Sequence, residues 1–151
     1  ICQDSAHCLF FNFINKSTYT IPKKNRIMNR KELMLQSQSV TQIATDLIKN
    51  TNTPSFTVIF MQQFTNSIIT TGGLIDAICM DYASVNTPKR LNTAIEELHK
   101  AIHIIQMLSQ ASAINVTLAK AFFEQSSELL KLILTGIYEF QNKKSPVQQE
   151  L

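Results

Sequence analysis

The sequence predicts an all-α protein, an up-and-down four-helix bundle preceded by a partly helical N-terminal arm. Apolar residues recur at helical spacing in four separate stretches. Three glycines and four prolines in 151 residues leave too few turns for an all-β protein. Short connections between long helices make sequential neighbours antiparallel, which gives the up-and-down order. We therefore divide the chain into an arm (1–28), the bundle (29–144) and a mobile tail (145–151).

The arm is expected to pack on the bundle, because it can form a short helix with one apolar face. That face consists of Leu9, Phe10, Phe13 and Ile14. Cys2 and Cys8 could close a small loop, or either could pair with Cys79 in the bundle. The sequence leaves all three pairings open.

The first bundle helix is expected to begin at Asn29, since Glu32 follows at capping-box spacing. It should end at Lys49-Asn50, because the Thr-Asn-Thr-Pro that follows cannot continue a helix. Its apolar stripe consists of Leu33, Val40, Ile43, Ala44, Leu47 and Ile48.

The second helix is predicted from Thr53-Pro54, an N-cap followed by proline, to about Ser84. It is apolar around most of its circumference and carries only Asp76 and Asp81 as charges. Such a helix needs neighbours on several sides, so we expect it to be the central rod. We also expect one continuous path with a kink at Gly72-Gly73.

The third and fourth helices have clear amphipathic stripes. The third is expected to begin at Asn86-Thr87-Pro88 and to end near Ser112; its stripe is Leu91, Ala94, Ile95, Leu98, Ile102, Ile105 and Leu108. The fourth is expected to begin near Asn115; its stripe is Leu118, Phe122, Leu129, Leu130, Ile133, Leu134, Ile137 and Phe140.

Composition argues against several classes of function. The net charge is only +3, and no basic stripe interleaved with aromatic residues occurs, which argues against nucleic acid as a partner. The long uncharged run from about residue 50 to 75 contains too many glutamine, asparagine, serine and threonine residues for a transmembrane segment. No phosphate-binding loop, nucleotide fingerprint or G-x-S-x-G element is present, and Asp76 and Asp81 would raise the pKa of the Cys79 thiol. We therefore expect neither an enzyme nor a cofactor.

Two constellations are candidates for a binding site. Glu96, His99 and His103 share one helical face at spacings that can chelate a metal ion, although a solvated polar face is the more common meaning of such a pattern. Phenylalanines from the arm and the helices could surround a hydrophobic ligand between the helices, or could simply form a packed core. The residues of this second constellation are Phe10, Phe13, Phe56, Phe60, Phe64 and Phe122.

Several features favour secretion or residence in the lumen of the secretory pathway. Two cysteines within the first eight residues are typical of an oxidising compartment, and the odd third cysteine could link two chains into a dimer. Asn15 and Asn115 lie in glycosylation sequons. A first residue of Ile1 is what removal of a signal peptide, or cloning of a segment, would leave.

The layout of a cysteine-bearing arm before a four-helix bundle resembles the plant invertase and pectin methylesterase inhibitors. In this resemblance Cys2 and Cys8 correspond to the arm pair and Cys79 to the cysteine late in the second bundle helix. The pattern departs from that family because no cysteine follows Cys79. The resemblance is one of architecture.

The function that these features favour is that of a non-catalytic, secreted helical bundle that binds a protein partner, as an inhibitor or effector does. The alternative is a carrier that holds a small hydrophobic ligand between its helices.

Overall fold

The computed structural model describes residues 27–51 and 57–143, and within these two ranges the chain forms four helices and no strand. The helices are α1 (Arg30–Asn50), α2 (Val58–Met80), α3 (Thr87–Gln110) and α4 (Val116–Lys143). The predicted all-α fold class is confirmed. The second helix was expected from Thr53-Pro54 to about Ser84, but it begins at Val58 after the N-cap Thr57 and ends at Met80. Thr53-Pro54 itself, the tail and nearly all of the arm lie outside the described residues.

The four helices form a ring in which each packs against two neighbours. α2 packs against α1 and α3, and α4 packs against the same two helices, whereas the backbones of the diagonal pairs stay apart. This arrangement is the one that an up-and-down bundle with short connections produces. The largest fully buried side chains come from all four helices and fill the shared interior: Leu33, Val40, Leu47, Phe64, Ile75, Ile78, Leu91, Leu98, Ile105, Phe122, Leu129 and Ile133.

The position of α2 differs from the expected central rod. α2 occupies one corner of the ring, and one of its sides has no neighbouring helix among the described residues. Its exposed large apolar residues are Val58, Ile59, Phe60, Ile69 and Met80. The helix runs without interruption through Gly72 and Gly73, so the expectation of a single path is confirmed, whereas the kink stays a prediction.

Two helix starts have the side-chain caps that their sequences indicate. The Asn29 side-chain oxygen accepts hydrogen bonds from the backbone N–H groups of Lys31 and Glu32, at 3.0 and 3.3 Å. The Asn115 side-chain oxygen accepts one from the N–H of Leu118 at 3.0 Å. Each cap satisfies N–H groups that have no partner within the helix, which fixes where α1 and α4 begin.

The end of α3 closes in a left-handed turn at Ser112, whose φ is 55°. The Ala113 N–H donates to the Leu108 carbonyl at 2.9 Å, and the Ser112 N–H donates to the Ser109 carbonyl at 3.1 Å. These two bonds form a Schellman motif, which satisfies carbonyls at the helix end and reverses the chain toward α4.

A half-buried carboxylate joins the chain before α1 to α4. The Glu139 carboxylate accepts hydrogen bonds from the Tyr82 hydroxyl at 2.8 Å, the Met28 N–H at 3.1 Å and the Lys143 ammonium at 2.8 Å. The Met28 side chain lies over Gly136, so closely that a Cβ at that glycine would be 2.6 Å from the Met28 sulfur. We call Glu139 and its three donors the Glu139 clasp. It joins the chain before α1, the α2–α3 connection and the end of α4.

Candidate interaction surface

The described phenylalanines of the predicted ligand site differ in burial: two lie in the core of the bundle and one at its edge. The Phe64 and Phe122 rings are fully buried and meet edge to face, with centroids 5.3 Å apart. Phe60, one turn before Phe64, is 36% exposed at the outside of the bundle. Phe10, Phe13 and Phe56 lie outside the described residues. These two rings therefore fill the interior of the bundle between the diagonal helices α2 and α4.

The candidate metal ligands Glu96, His99 and His103 are all exposed on α3. Within residues 27–51 and 57–143, no three histidine, cysteine, aspartate or glutamate side chains lie close enough together to hold a metal ion. His103 instead lines an open groove between α2 and α3, together with Glu97 and Lys100. The helical spacing therefore places these residues on one face without gathering them into a site.

Cys79 is a half-buried free thiol near the end of α2. Its Sγ lies 3.5 Å from the Arg30 carbonyl oxygen, to which it donates a weak hydrogen bond. Burial, followed by the charge of Asp76, raises the pKa of the thiol, and the Arg30 charge opposes this only in part. Cys2 and Cys8 lie outside the described residues, so the predicted pairings of the three cysteines stay predictions.

Of the two asparagines in glycosylation sequons, one lies among the described residues. Asn115 is exposed, and its side chain caps α4 through the bond to Leu118. Asn15 lies outside the described residues.

The outward side of α2 carries a stripe of exposed residues that the sequence analysis did not single out. The members recur at alternating steps of three and four, which keeps them on one line along the helix. They are Ile59, Gln62, Asn66, Ile69, Gly73, Asp76 and Met80. We call this line the α2 seam. Its three large apolar members are strongly exposed: Ile59 at 62%, Ile69 at 67% and Met80 at 86%.

The seam is nearly free of charge, and this sets it apart from the surfaces of α3 and α4. Asp76 is the one charged residue among the 23 residues of α2. α3 and α4 carry exposed acids and bases along their length and form three ion pairs: Lys100 with Glu97, Lys131 with Glu128, and Lys143 with Glu139. Charged residues keep a helix face solvated, whereas exposed apolar residues without them are typical of an interaction site.

Open grooves flank the seam on both sides. The groove toward α1, of about 370 Å³, is lined by Ile48, Val58 and Met61 together with polar residues of α2. The groove toward α3, of about 390 Å³, has Ile104 and Met107 among its lining residues. Glu97, on the α3 side, has a lowered pKa because it accepts a hydrogen bond from Lys100 and, with a smaller effect, one from Ser67. The α2 seam thus lies between two shallow grooves that are lined in part by apolar residues.

The heptad-like spacing of the seam was the signal in the sequence that could have identified it. Gln62, Asn66 and Asp76 are three of the few strongly polar residues of α2, and all of them fall on this line. A helix places such groups toward solvent, so their shared line marks the outward side.

Within the described ranges, no helix combines the length and the apolar character that crossing a membrane requires. Comparisons with protein-family models, with curated proteins and with solved structures found no match for this chain.

Proposed function

We propose that this chain is a non-catalytic, secreted protein that works by binding another protein through the α2 seam. The observation that carries the proposal is the exposure of Ile59, Ile69 and Met80 on a helix side that has a single charge. Leaving such side chains in water forgoes roughly 1.5–3 kcal/mol for each one that could be fully buried. Burial against a partner recovers part of that free energy.

The chemistry of the seam defines the kind of partner. A surface that is apolar and poor in charge can cover the isoleucines and the methionine without burying unpaired ions. Gln62 and Asn66 require that the partner also offers hydrogen-bonding groups, because a buried amide without a partner is costly. A helix laid along α2 meets both requirements, since it has the length of the seam and side chains on one line.

The alternative, a carrier of a small hydrophobic ligand, has no specific observation in its favour. Phe64 and Phe122 contact each other in the interior. The two grooves beside α2 are open and shallow, whereas carrier sites enclose most of the ligand surface.

Placement in the secretory pathway is part of the proposal and rests on the cysteines of the arm. Peptide mapping of native protein without reduction tests it. A bridge between Cys2 and Cys8 is the expected result, and three reduced cysteines would contradict secretion.

The partner interaction can be tested by site-specific photocrosslinking of the full chain in extracts or fluid from its natural source. A benzoylphenylalanine in place of Ile69 reports on the seam, and the same group in place of the exposed Lys131 on α4 is the matched control. We expect a protein adduct from position 69 only. Excess unlabelled chain should change the yield of this adduct, either by competing for a different partner or by being crosslinked itself, and excess chain with Ile69→Glu should leave the yield unchanged.

The proposal is abandoned if position 69 gives no adduct, or if the Ile69→Glu chain changes the adduct yield as much as the unchanged chain does. A substitution at Ile69 is suited to this experiment because the side chain is 67% exposed, so the bundle does not depend on it for packing.

A further inference from the structure

The α2 seam is complementary to itself when two copies of α2 lie antiparallel. Ile69 is the middle residue of the helix Val58–Met80. A two-fold axis that passes through Ile69 therefore superposes each end of the seam on the opposite end of the second copy. The consequences can be followed residue by residue from the sequence and the exposure of the seam.

The polar members of the seam meet suitable partners in this arrangement. Gln62 lies opposite Asp76 of the second copy, and the reverse contact occurs once more by symmetry. An amide N–H₂ that donates to a carboxylate makes a charge-assisted hydrogen bond, which is stronger than one between neutral groups. No hydrogen bond joins the Gln62 or the Asp76 side chain to another described residue, so both are available for this contact.

The apolar and small members of the seam also meet suitable partners in the antiparallel arrangement. Ile69 meets Ile69 of the second copy at the axis, and Ile59 lies toward Met80 at the far end. Asn66 faces Gly72-Gly73, where a Cβ built on either glycine meets nothing within 4 Å. The absence of side chains at this point leaves room for the asparagine and lets the two helices approach closely.

Charge selects the antiparallel over the parallel arrangement. Two parallel copies in register would place Asp76 opposite Asp76, and like charges that face each other are destabilising. The antiparallel arrangement separates the two aspartates by most of the helix and gives each an amide donor. The seam thus contains no pair of like charges when it meets itself in this direction.

From this complementarity we infer that the partner of the α2 seam is a second copy of this chain, docked with the two α2 helices antiparallel. The inference rests on the proposed function, because it names the partner of the same surface. Cys79 is not a member of the seam, and the axis through Ile69 places the Cys79 residues of the two copies at opposite ends of the helix pair, so the association is expected to be independent of any intermolecular disulfide.

The first experiment measures the molar mass of the full chain by sedimentation equilibrium in the presence of a reducing agent. We expect a mass of twice 17.1 kDa at concentrations of tens of micromolar. Ile69→Glu places two carboxylates at the axis and should raise the dissociation constant by about a hundredfold or more. Circular dichroism confirms that the variant keeps its helices.

A charge swap tests the direction of the helices. Gln62→Asp places two carboxylates opposite each other and should weaken the dimer by about tenfold. Adding Asp76→Gln to that variant restores an amide opposite each carboxylate and should return the dissociation constant to its original value. The control is Gln141→Asp on α4, the helix diagonal to α2, where Gln141 is exposed and no change is expected.

The outcomes separate the two proposals. A chain that is monomeric while position 69 crosslinks to a different protein would refute the second-copy inference and leave the proposed function standing. A monomeric chain without any adduct would refute both. A dimer that withstands Ile69→Glu, or one that Gln62→Asp does not weaken, would show that the copies meet elsewhere or in another direction.

Discussion

Ser112 is the one non-glycine residue with a positive φ in the part of the chain that the structure describes. The left-handed conformation brings Cβ close to the following carbonyl oxygen and costs a residue with a side chain about 1–2 kcal/mol. The Schellman motif at the end of α3 requires this conformation, so the chain accepts the cost at a position where glycine is usual.

Replacing this residue should stabilise the protein. Ser112→Gly removes the steric cost but adds freedom to the unfolded chain, and we expect a net gain of about 0.5–1 kcal/mol in the free energy of unfolding. Urea denaturation measures it. Ser112→Ala is the matched control, because alanine keeps the strain; an equal gain from alanine would mean that strain at Ser112 is unimportant.

Single residues also show what local sequence can predict. The Asn29 cap was predicted correctly, because the cap and the N–H groups that it satisfies are at most three residues apart. Phe60 and Phe64 could not be told apart in the same way. One turn separates them, and only the position of α2 relative to its neighbours decides that the first is at the rim and the second in the core.

At the scale of elements, α1, α3 and α4 begin and end within about three residues of the predicted positions. Their stripes alternate with polar residues, and this contrast identifies the inward side. Ile48 is an exception, since it was assigned to the stripe of α1 and is 38% exposed in the groove beside α2. α2 offered little contrast between apolar and polar sides, because its own residues are apolar around most of its circumference. Its inward side could therefore not be derived from hydrophobicity alone.

Glycines within two helices provide a test of packing against helix propensity. Gly72→Ala in α2 should raise the free energy of unfolding by about 0.5–1 kcal/mol, because alanine is the better helix former and a Cβ there meets nothing within 4 Å. Thermal and urea denaturation of dilute protein measure this gain without a contribution from association.

Gly136→Ala in α4 is the matched substitution with a different environment. A Cβ there would lie 2.6 Å from the Met28 sulfur and 3.3 Å from a Leu91 methyl carbon. Met28 must move, so we expect no gain, or a loss of about 1–3 kcal/mol. An equal stabilisation by both alanines would show that Met28 does not pack on α4 as described.

At the scale of the whole molecule, the Glu139 clasp should make stability depend on pH. Burial by itself would raise the pKa of Glu139, but hydrogen bonds from Lys143, the Met28 N–H and Tyr82 outweigh it and lower that pKa. The carboxylate therefore stabilises the fold fully above the ordinary glutamate pKa of about 4.5, and this stabilisation is lost as the pH falls through the lowered value.

At alkaline pH, Tyr82 makes stability depend on pH in the opposite direction. Burial, followed by the hydrogen bond to Glu139 and its charge, raises the pKa of the Tyr82 hydroxyl. The neutral phenol contributes stability below the ordinary tyrosine pKa of about 10, and that contribution disappears as the pH rises through the raised value.

Glu139→Gln tests the loss of stability at acidic pH. We expect a loss of about 1–3 kcal/mol at neutral pH, because three donors lose a charged acceptor, and a smaller difference from the unchanged protein below pH 4. Urea denaturation across pH 3–7 measures both. The control is Glu128→Gln, whose exposed pair with Lys131 should contribute less than about 1 kcal/mol; a constant difference at every pH would contradict the role of the Glu139 charge.

The bundle as a whole was predictable because four stripes and short connections admit few arrangements. The seam was not predicted, because hydrophobicity alone did not separate the sides of α2 and only the shared line of Gln62, Asn66 and Asp76 indicated the outward one. The Glu139 clasp was not predicted either, because Met28, Tyr82 and Glu139 are far apart in sequence and meet only when the ring closes. Contacts of this kind leave no local pattern.

The attachment of Met28 to α4 also means that shortening the chain toward α1 removes contacts of the bundle before it removes any helical residue. A truncated chain that starts at Arg30 would retain every helical residue of the bundle, yet it would lack the backbone amide that Glu139 binds and would uncover a hollow above Gly136. A chain that starts at Ile27 would keep both. Truncation within the non-helical residues before α1 is therefore expected to weaken the bundle.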